Sequence, residues 1–188
     1  MQETEILARI AAGDTEQFGL LYDAYAERIY RYLFYRIHNR AVAEDLASTT
    51  FFKAVRGLKS FNAEKGNFSA WIYRIARNTL LDHVRNERRS EPIETAEEIA
   101  DPAESVENDL MDRELVGKVK ESFAKLSADQ REIITLRVWD ELSYAEIAKV
   151  LGKSEASCKM AFYRATVKLR ELAPLAVIFL IIKLIIHS

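Results

Sequence analysis

Lys159, Met160, Tyr163 and Arg164 recur at a spacing that gathers two cations, a thioether and a phenol on one side of a helix. Lysine and arginine reach phosphate oxygens or guanine edges, and a tyrosine ring packs on a base methyl or a sugar. Behind them Cys158 and Phe162, four apart, are predicted to face inward with Ala165 and Leu169. Such a face must be aimed, and the residues just upstream supply the means. Ser143 and Glu146 form an S-x-x-E capping box that starts a short helix with two backbone donors satisfied reciprocally. Ala145, Ile147, Ala148 and Leu151 give that helix an apolar face. Gly152 supplies the positive-φ residue that ends it, and Ser154 is placed to cap the next helix. Short helix, tight turn and longer basic helix are the layout of a helix-turn-helix, whose second helix lies in the DNA major groove. The competing reading is an ordinary pair of surface helices with a solvated charged face.

A second stretch carries chemistry of a different kind. Between residues 59 and 89, Phe61, Phe68, Trp71 and Tyr73 alternate with Lys59, Lys65, Arg74, Arg77, Arg85, Arg88 and Arg89. Rings that stack on bases, interleaved with cations that follow a backbone, suit single-stranded nucleic acid. The alternative is that these rings belong to a helical core, which is expected of at least half of them. The loop 61–67 is the place for exposed contacts. No catalytic constellation is expected: His38, His83 and His187 are scattered, nothing suggests a metal-ligand cluster, and no cofactor is implied.

The elements that carry these residues are read as helices. Only six glycines and three prolines in 188 residues, with long 3.6-period stretches, predict an all-α protein. A first helix is expected over Glu3–Ala12, ended by Gly13. A long helix opens at Asp14 or Thr15 and runs to about His38, with Phe18, Leu21, Tyr22, Tyr25, Ile29, Leu33 and Ile37 as its apolar stripe. A third helix covers Ala41–Leu58, with Leu46, Phe51 or Phe52, and Val55 inward. A fourth covers Phe68–Arg89, with Trp71 or Ile72, Ile75, Leu80 or Leu81, and Val84 inward. A further helix is predicted from Leu110 to about Leu126, and a second capping box, Ser127 with Gln130, opens another over Ala128–Asp140.

Charge divides the chain more sharply than its net −2 suggests. Residues 1–89 hold 14 Lys/Arg against 11 Asp/Glu, and residues 115–188 hold 12 against 8, whereas residues 90–114 hold one against ten. Two basic lobes are thus joined by an acidic stretch. Pro92, Pro102 and the absence of aromatics make residues 90–109 a flexible linker. The expected organisation is a helical domain over 1–89, the linker over 90–109, a helix-turn-helix domain over 110–173, and an apolar C-terminal helix over 174–188. The single cysteine, Cys158, fits a reducing compartment, and the N-terminal residues lack the apolar core of a signal peptide.

The order of these parts resembles the extracytoplasmic-function subgroup of the bacterial sigma-70 family, the promoter-recognition subunits of RNA polymerase. The resemblance covers about residues 10–89 and 110–172. It rests on FGLLYDAYAERIYRYL, AEDLASTTFFKAV, GNFSAWIYRIARNTLLDHVR, LSADQREIITLRVWDELSYAEIAKVLGKSEASCKMAFYRA and KLREL, in that order and spacing. It implies a non-enzymatic factor that binds core RNA polymerase and directs it to promoters. The helix 41–58 is similar to the surface that docks on the clamp of the largest polymerase subunit, which assigns Asp45, Leu46, Ser48, Thr49 and Phe52 to polymerase binding. Loop 59–67 and the helix after it resemble the element that opens the −10 region and holds an unstacked base. That assigns Phe61, Asn62, Trp71, Arg74, Arg77 and Asn78 to single-stranded −10 DNA. Helix 155–170 resembles the duplex −35 reader, through Lys159, Met160, Tyr163 and Arg164. The acidic linker matches in place the segment that threads toward the polymerase active centre.

Two departures stand out. Where family members commonly read DLVQETF this chain reads DLASTTF, so Ser48 and Thr49 replace a glutamine and an acid. Where they commonly read GTVKSRLHRA it reads ASCKMAFYRA, so Ala161 replaces a common arginine, and an altered promoter preference is expected. The tail Leu175–Ile186 is apolar apart from Lys183. As a helix of twelve residues it would span about 18 Å, well short of the ~30 Å of a bilayer core. Four readings stay open: packing on its own domains, docking in a partner such as an anti-sigma factor, weak contact with a membrane surface, or an unusual gene end. The expected location is the bacterial cytoplasm, with a partner able to hold the protein at the membrane. Two rival functions remain: a dimeric DNA-binding regulator that never enters polymerase, and an adaptor whose tail is the functional end.

Overall fold

The computed structural model describes residues 3–58, 61, 67–90 and 122–172, with the side chains of 88–90 and 172 left aside. Among these residues every regular element is a helix. The chain divides into two compact units, Met1–Pro102 and Ala103–Ser188. The expectations for Asn62, for the acidic linker beyond Ser90, for the helix start at Leu110 and for the apolar tail fall outside the described residues.

In the first unit α1 (Glu3–Ala11) buries Ile6, Leu7 and Ile10 and ends at Gly13, whose φ of 105° only glycine adopts without strain. The Tyr25 hydroxyl donates to the Glu3 carboxylate across 2.5 Å, tying α1 to the next helix. A single 3₁₀ turn (Thr15–Gln17) precedes α2 (Phe18–Ile37), so the long helix begins three to four residues later than its sequence suggests. The Asp14 side chain is the reason: it accepts from Gln17 Nε2 and caps no backbone amide. The α2 stripe is Leu21, Tyr25, Ile29, Tyr32 and Leu33. Tyr22, expected inward, is exposed at the edge of that stripe, and Tyr32 is buried in its place. His38 ends α2 in the left-handed conformation at φ 52°, its amide donating to Phe34 O.

Asn39 opens α3 (Arg40–Gly57) by accepting from the Val42 amide through Oδ1. α3 packs against both α2 and α4 (Phe68–Ser90). Its buried face is Ala43, Leu46, Thr50, Phe51 and Ala54. Ala43 and Ala54 are fully buried on this face, and Val55, expected inward, is exposed. Buried Thr50 satisfies its hydroxyl on Leu46 O at 2.7 Å. From α4 the core takes Phe68, Ala70, Ile72, Tyr73, Ala76 and Leu80. Edge-to-face pairs Tyr32–Tyr73 and Tyr25–Phe68, each 5.3 Å between ring centres, lock α2 to α4.

In the second unit the box at Ser127 forms as read: Ser127 Oγ accepts from the Gln130 amide and Gln130 Oε1 from the Ser127 amide. The helix it opens is not continuous to Asp140. α5 (Ala128–Ile134) passes into a π-turn (Thr135–Trp139), where the Asp140 amide donates to Thr135 O. The wider turn lets Ile134, Val138 and Trp139 all pack on the cluster of Leu126, Ala165 and Leu169. Glu141, at φ 58°, then redirects the chain. α6 (Tyr144–Leu151) carries its box as read, but buries Ile147, Val150 and Leu151 and leaves Ala145 exposed. Gly152 closes it at φ 66°, and α7 (Glu155–Leu172) follows after Ser154, whose Oγ accepts from the Ser157 amide.

Candidate nucleic-acid interface

Helix α7 is held from behind. Cys158 and Ala165 are fully buried, Leu169 nearly so, and Phe162 is half-buried against the unit core. Burial pushes the Cys158 thiol pKa upward, chiefly by desolvation, which keeps it a neutral packing group rather than a nucleophile. The opposite face presents Lys159, Met160, Tyr163 and Arg164 together, with Met160 50% and Tyr163 63% exposed. Exposed beside two cations, these two side chains are placed where a thioether and a phenol could meet base edges and sugars.

The turn between α6 and α7 is braced rather than free. The Lys153 amide donates to Ala148 O, and its ammonium pairs with Asp129 at the start of α5. Lys168 donates to Lys125 O at 2.6 Å, fixing the far half of α7. Lys159 is within 2.7 Å of Glu155, one turn earlier, so the leading cation of the face begins in an intrahelical ion pair. Two residues that sequence reasoning missed also belong here. Arg137 lies 5.1 Å from the Tyr144 ring centre, and Lys159 lies 5.8 Å from the same ring. No short-range spacing reveals this contact, since it joins the π-turn, α6 and α7. The one sequence hint is an aromatic directly after the Ser143 cap.

On the first unit the −10 candidates separate by burial. Arg74 and Asn78 lie one turn apart on the exposed side of α4. Arg77 is half-buried, and the missed residue Lys53 reaches in from α3 to donate to Thr79 and approach Asp82. Arg85 also contacts Asp82, at 3.6 Å, so the basic ribbon is partly neutralised on its own helix. Trp71 and Phe61 are half-buried, not free stacking platforms. Phe61, Phe68 and Trp71 form a triangle with ring centres 5.1 to 5.9 Å apart. Trp71 lies on Gly57, and Phe61 donates its amide to Leu58 O. The triangle therefore clasps the two described ends of the 58–67 connection, with the Trp71 amide donating to Asn67 O.

On α3, Asp45, Ser48 and Phe52 are exposed, Thr49 is half-exposed, and Phe52 reaches 61% with Arg56 over its ring at 5.6 Å. Val55 extends this outer face. Leu46, placed on the docking surface by resemblance and inside by periodicity, is 4% exposed; it is a core residue that can act only by holding the helix. Among the described residues no group of three or more His, Cys, Asp or Glu could hold a metal ion, and no helix is long and apolar enough to cross a membrane.

Comparison with known proteins places this geometry in a lineage. Residues 21–90 match Sigma-70 region 2, and residues 117–169 match Sigma-70, region 4. The chain is 38% identical over 176 residues to the ECF RNA polymerase sigma factor BldN of Streptomyces coelicolor, covering 90% of this chain and 65% of that protein's length. It is 31% identical over 174 residues to the RNA polymerase sigma-H factor of Pseudomonas aeruginosa, covering 87% of this chain and 90% of that one. Among solved structures it is similar to the sigma factor RpoE from Bartonella quintana, solved in complex with the anti-sigma factor NepR. That match has 27% identity and a TM-score of 0.63, and covers 84% of this chain and 96% of the other. CnrH, solved with the cytosolic domain of CnrY, shares the fold at a TM-score of 0.66 and 24% identity, over 90% and 96% of the two chains.

Proposed function

The chain belongs to the extracytoplasmic-function subgroup of the sigma-70 factors, which direct RNA polymerase to promoters, and from that membership we propose how its parts divide the work. Residues 1–89 form the module that binds core polymerase and opens the −10 element. Residues 110–173 form the module that reads the −35 duplex, and the acidic residues 90–109 join them. Within the first module, Asp45, Ser48, Thr49, Phe52 and Val55 form the polymerase-docking face of α3. Arg74 and Asn78 meet the displaced strand, while Phe61 and Trp71 act by clasping the loop that captures a base. Within the second, Lys159, Met160, Tyr163 and Arg164 enter the major groove.

The observation that carries this reading is the α7 face: four residues of the right chemistry, all exposed, on a helix whose other side packs on the unit core through Cys158, Ala165 and Leu169 and whose turn is braced. The protein makes or breaks no covalent bond; the polymerase supplies that chemistry. An anti-sigma factor is the expected negative regulator, as the similar sigma factor RpoE has been solved with such a partner. The site of action is the bacterial cytoplasm.

The test is reconstitution with core RNA polymerase. The protein should co-elute with core enzyme and yield promoter-dependent run-off transcripts. A regulator working outside polymerase would bind duplex DNA yet neither co-elute nor support transcription, and that outcome would sink the proposal.

A further inference from the structure

We propose that Tyr144 is a positioning residue for −35 recognition, its ring serving as a shelf that fixes where the Lys159 ammonium meets DNA. The inference rests on the reading of α7 as the duplex-reading helix. Tyr144 is the first residue of α6, and the capping box clamps the backbone beside it. Ser143 Oγ accepts from the Glu146 amide at 3.3 Å, and the Glu146 carboxylate accepts from the Ser143 amide at 2.6 Å. Its ring is then held at the edge by Phe162, with centres 5.9 Å apart and planes at 72°. Phe162 packs on the unit core, so the ring is located by the fold and not by solvent.

Two cations lie near this fixed ring. Arg137 sits 5.1 Å from its centre while donating through Nη1 to Leu142 O at 3.0 Å, so its guanidinium is anchored by the chain that leaves the π-turn. Lys159 sits 5.8 Å from the centre, and its other contact is Glu155 at 2.7 Å. A lysine is a compact charge on a flexible four-carbon stem and would ordinarily sample many rotamers. The ring quadrupole and the Glu155 carboxylate together narrow that choice before DNA arrives. On binding, phosphate competes with Glu155 for the ammonium, whereas the ring keeps its hold because a π-face does not compete for hydrogen bonds. The ring thus links three elements to one DNA-facing charge.

The test uses holoenzyme on a promoter duplex, with affinity measured across a salt series. Tyr144→Phe keeps the ring and its quadrupole. Tyr144→pentafluorophenylalanine keeps the shape but reverses the quadrupole, which weakens the Lys159 and Arg137 contacts and the edge-to-face pair with Phe162 together, so a Lys159 variant is needed to separate the DNA-facing part. An exposed cation–π contact is worth about two- to five-fold in affinity. Tyr144→Phe should therefore bind within two-fold of wild type, and the fluorinated ring should bind about two- to five-fold more weakly. In a Lys159→Met background, which itself should lower the salt slope by about 0.9, the fluorinated ring should cost nothing further. An equal loss in both backgrounds, or no loss in either, overturns the positioning role. Failure of wild-type holoenzyme to bind −35 duplex at all overturns both this role and the reading of α7 beneath it.

Discussion

Replacing Gly57 with valine should unseat Trp71 and loosen the aromatic clasp that the proposed function assigns to base capture. A Cβ at Gly57 would stand 3.2 Å from Trp71 Cζ2 and 3.7 Å from Cη2. Carbon pairs settle at about 3.5–4.0 Å, so an alanine asks the ring to move by only a few tenths of an ångström. Alanine also recovers up to about 1 kcal/mol of helix propensity, which makes Gly57→Ala close to neutral. Valine adds two further carbons beyond that Cβ, into the space the indole occupies. Overpacking of this kind costs about 1–3 kcal/mol, and for a unit of this size about 4–8 °C accompanies each kcal/mol. The expected fall in melting temperature is about 5–20 °C, scaled from those values. In a Trp139→Phe background, which leaves Trp71 as the sole tryptophan, its emission should shift to the red as the ring enters water. Because Phe61 rests on Trp71 at 5.1 Å, promoter opening, followed by 2-aminopurine fluorescence in the −10 region, should fall more than binding of the closed duplex. A Gly57→Val protein that melts within 2 °C of wild type, with unshifted emission, would refute the packing argument.

Glu155→Gln should tighten −35 duplex binding about two-fold at low salt, since an exposed i,i+4 pair is worth about 0.3–0.5 kcal/mol and its release no longer opposes Lys159; the gain should fade as salt rises in a filter-binding or anisotropy series. His38→Gly should stabilise the first unit by up to about 1 kcal/mol, because the residue sits at φ 52° at a helix end where glycine is unstrained, and chemical denaturation would show it as a higher midpoint. The Cys158 thiol, fully buried with its pKa raised, should resist alkylation at pH 8 in the folded protein and react on unfolding. Its sign follows from linkage: the unfolded thiol ionises first, so this group withdraws stability as pH climbs through the unfolded thiol pKa of about 8.5.

Local signals were legible in the sequence, and long-range ones were not. Both capping boxes, the left-handed Gly152, the Ser154 cap and the outward set on α7 each depend on residues within a turn of one another. Adjacent apolar pairs resisted assignment because neighbours on a helix lie only 100° apart. Phe51, Ile72 and Leu80 went inward, and Phe52 and Leu81 outward, as the partner helices dictated. Size misled at Val55, where the buried face of α3 takes Ala54 instead. The π-turn at Thr135–Trp139 leaves no periodic signature over five residues. Leu46, inward by periodicity and assigned to docking by resemblance, is buried. The Arg137–Tyr144–Lys159 arrangement spans 22 positions and emerges only when three elements meet.

In the proposed function, two modules of one chain read two separate promoter blocks. Selection of functional promoters from a randomised library by reconstituted holoenzyme tests this most directly, with wild type run beside Met160→Ala and Asn78→Ala. Two sequence blocks at a fixed spacing are expected, with Met160→Ala altering only the upstream block and Asn78→Ala only the downstream one. A single block, or the same block shifting in both variants, would contradict it.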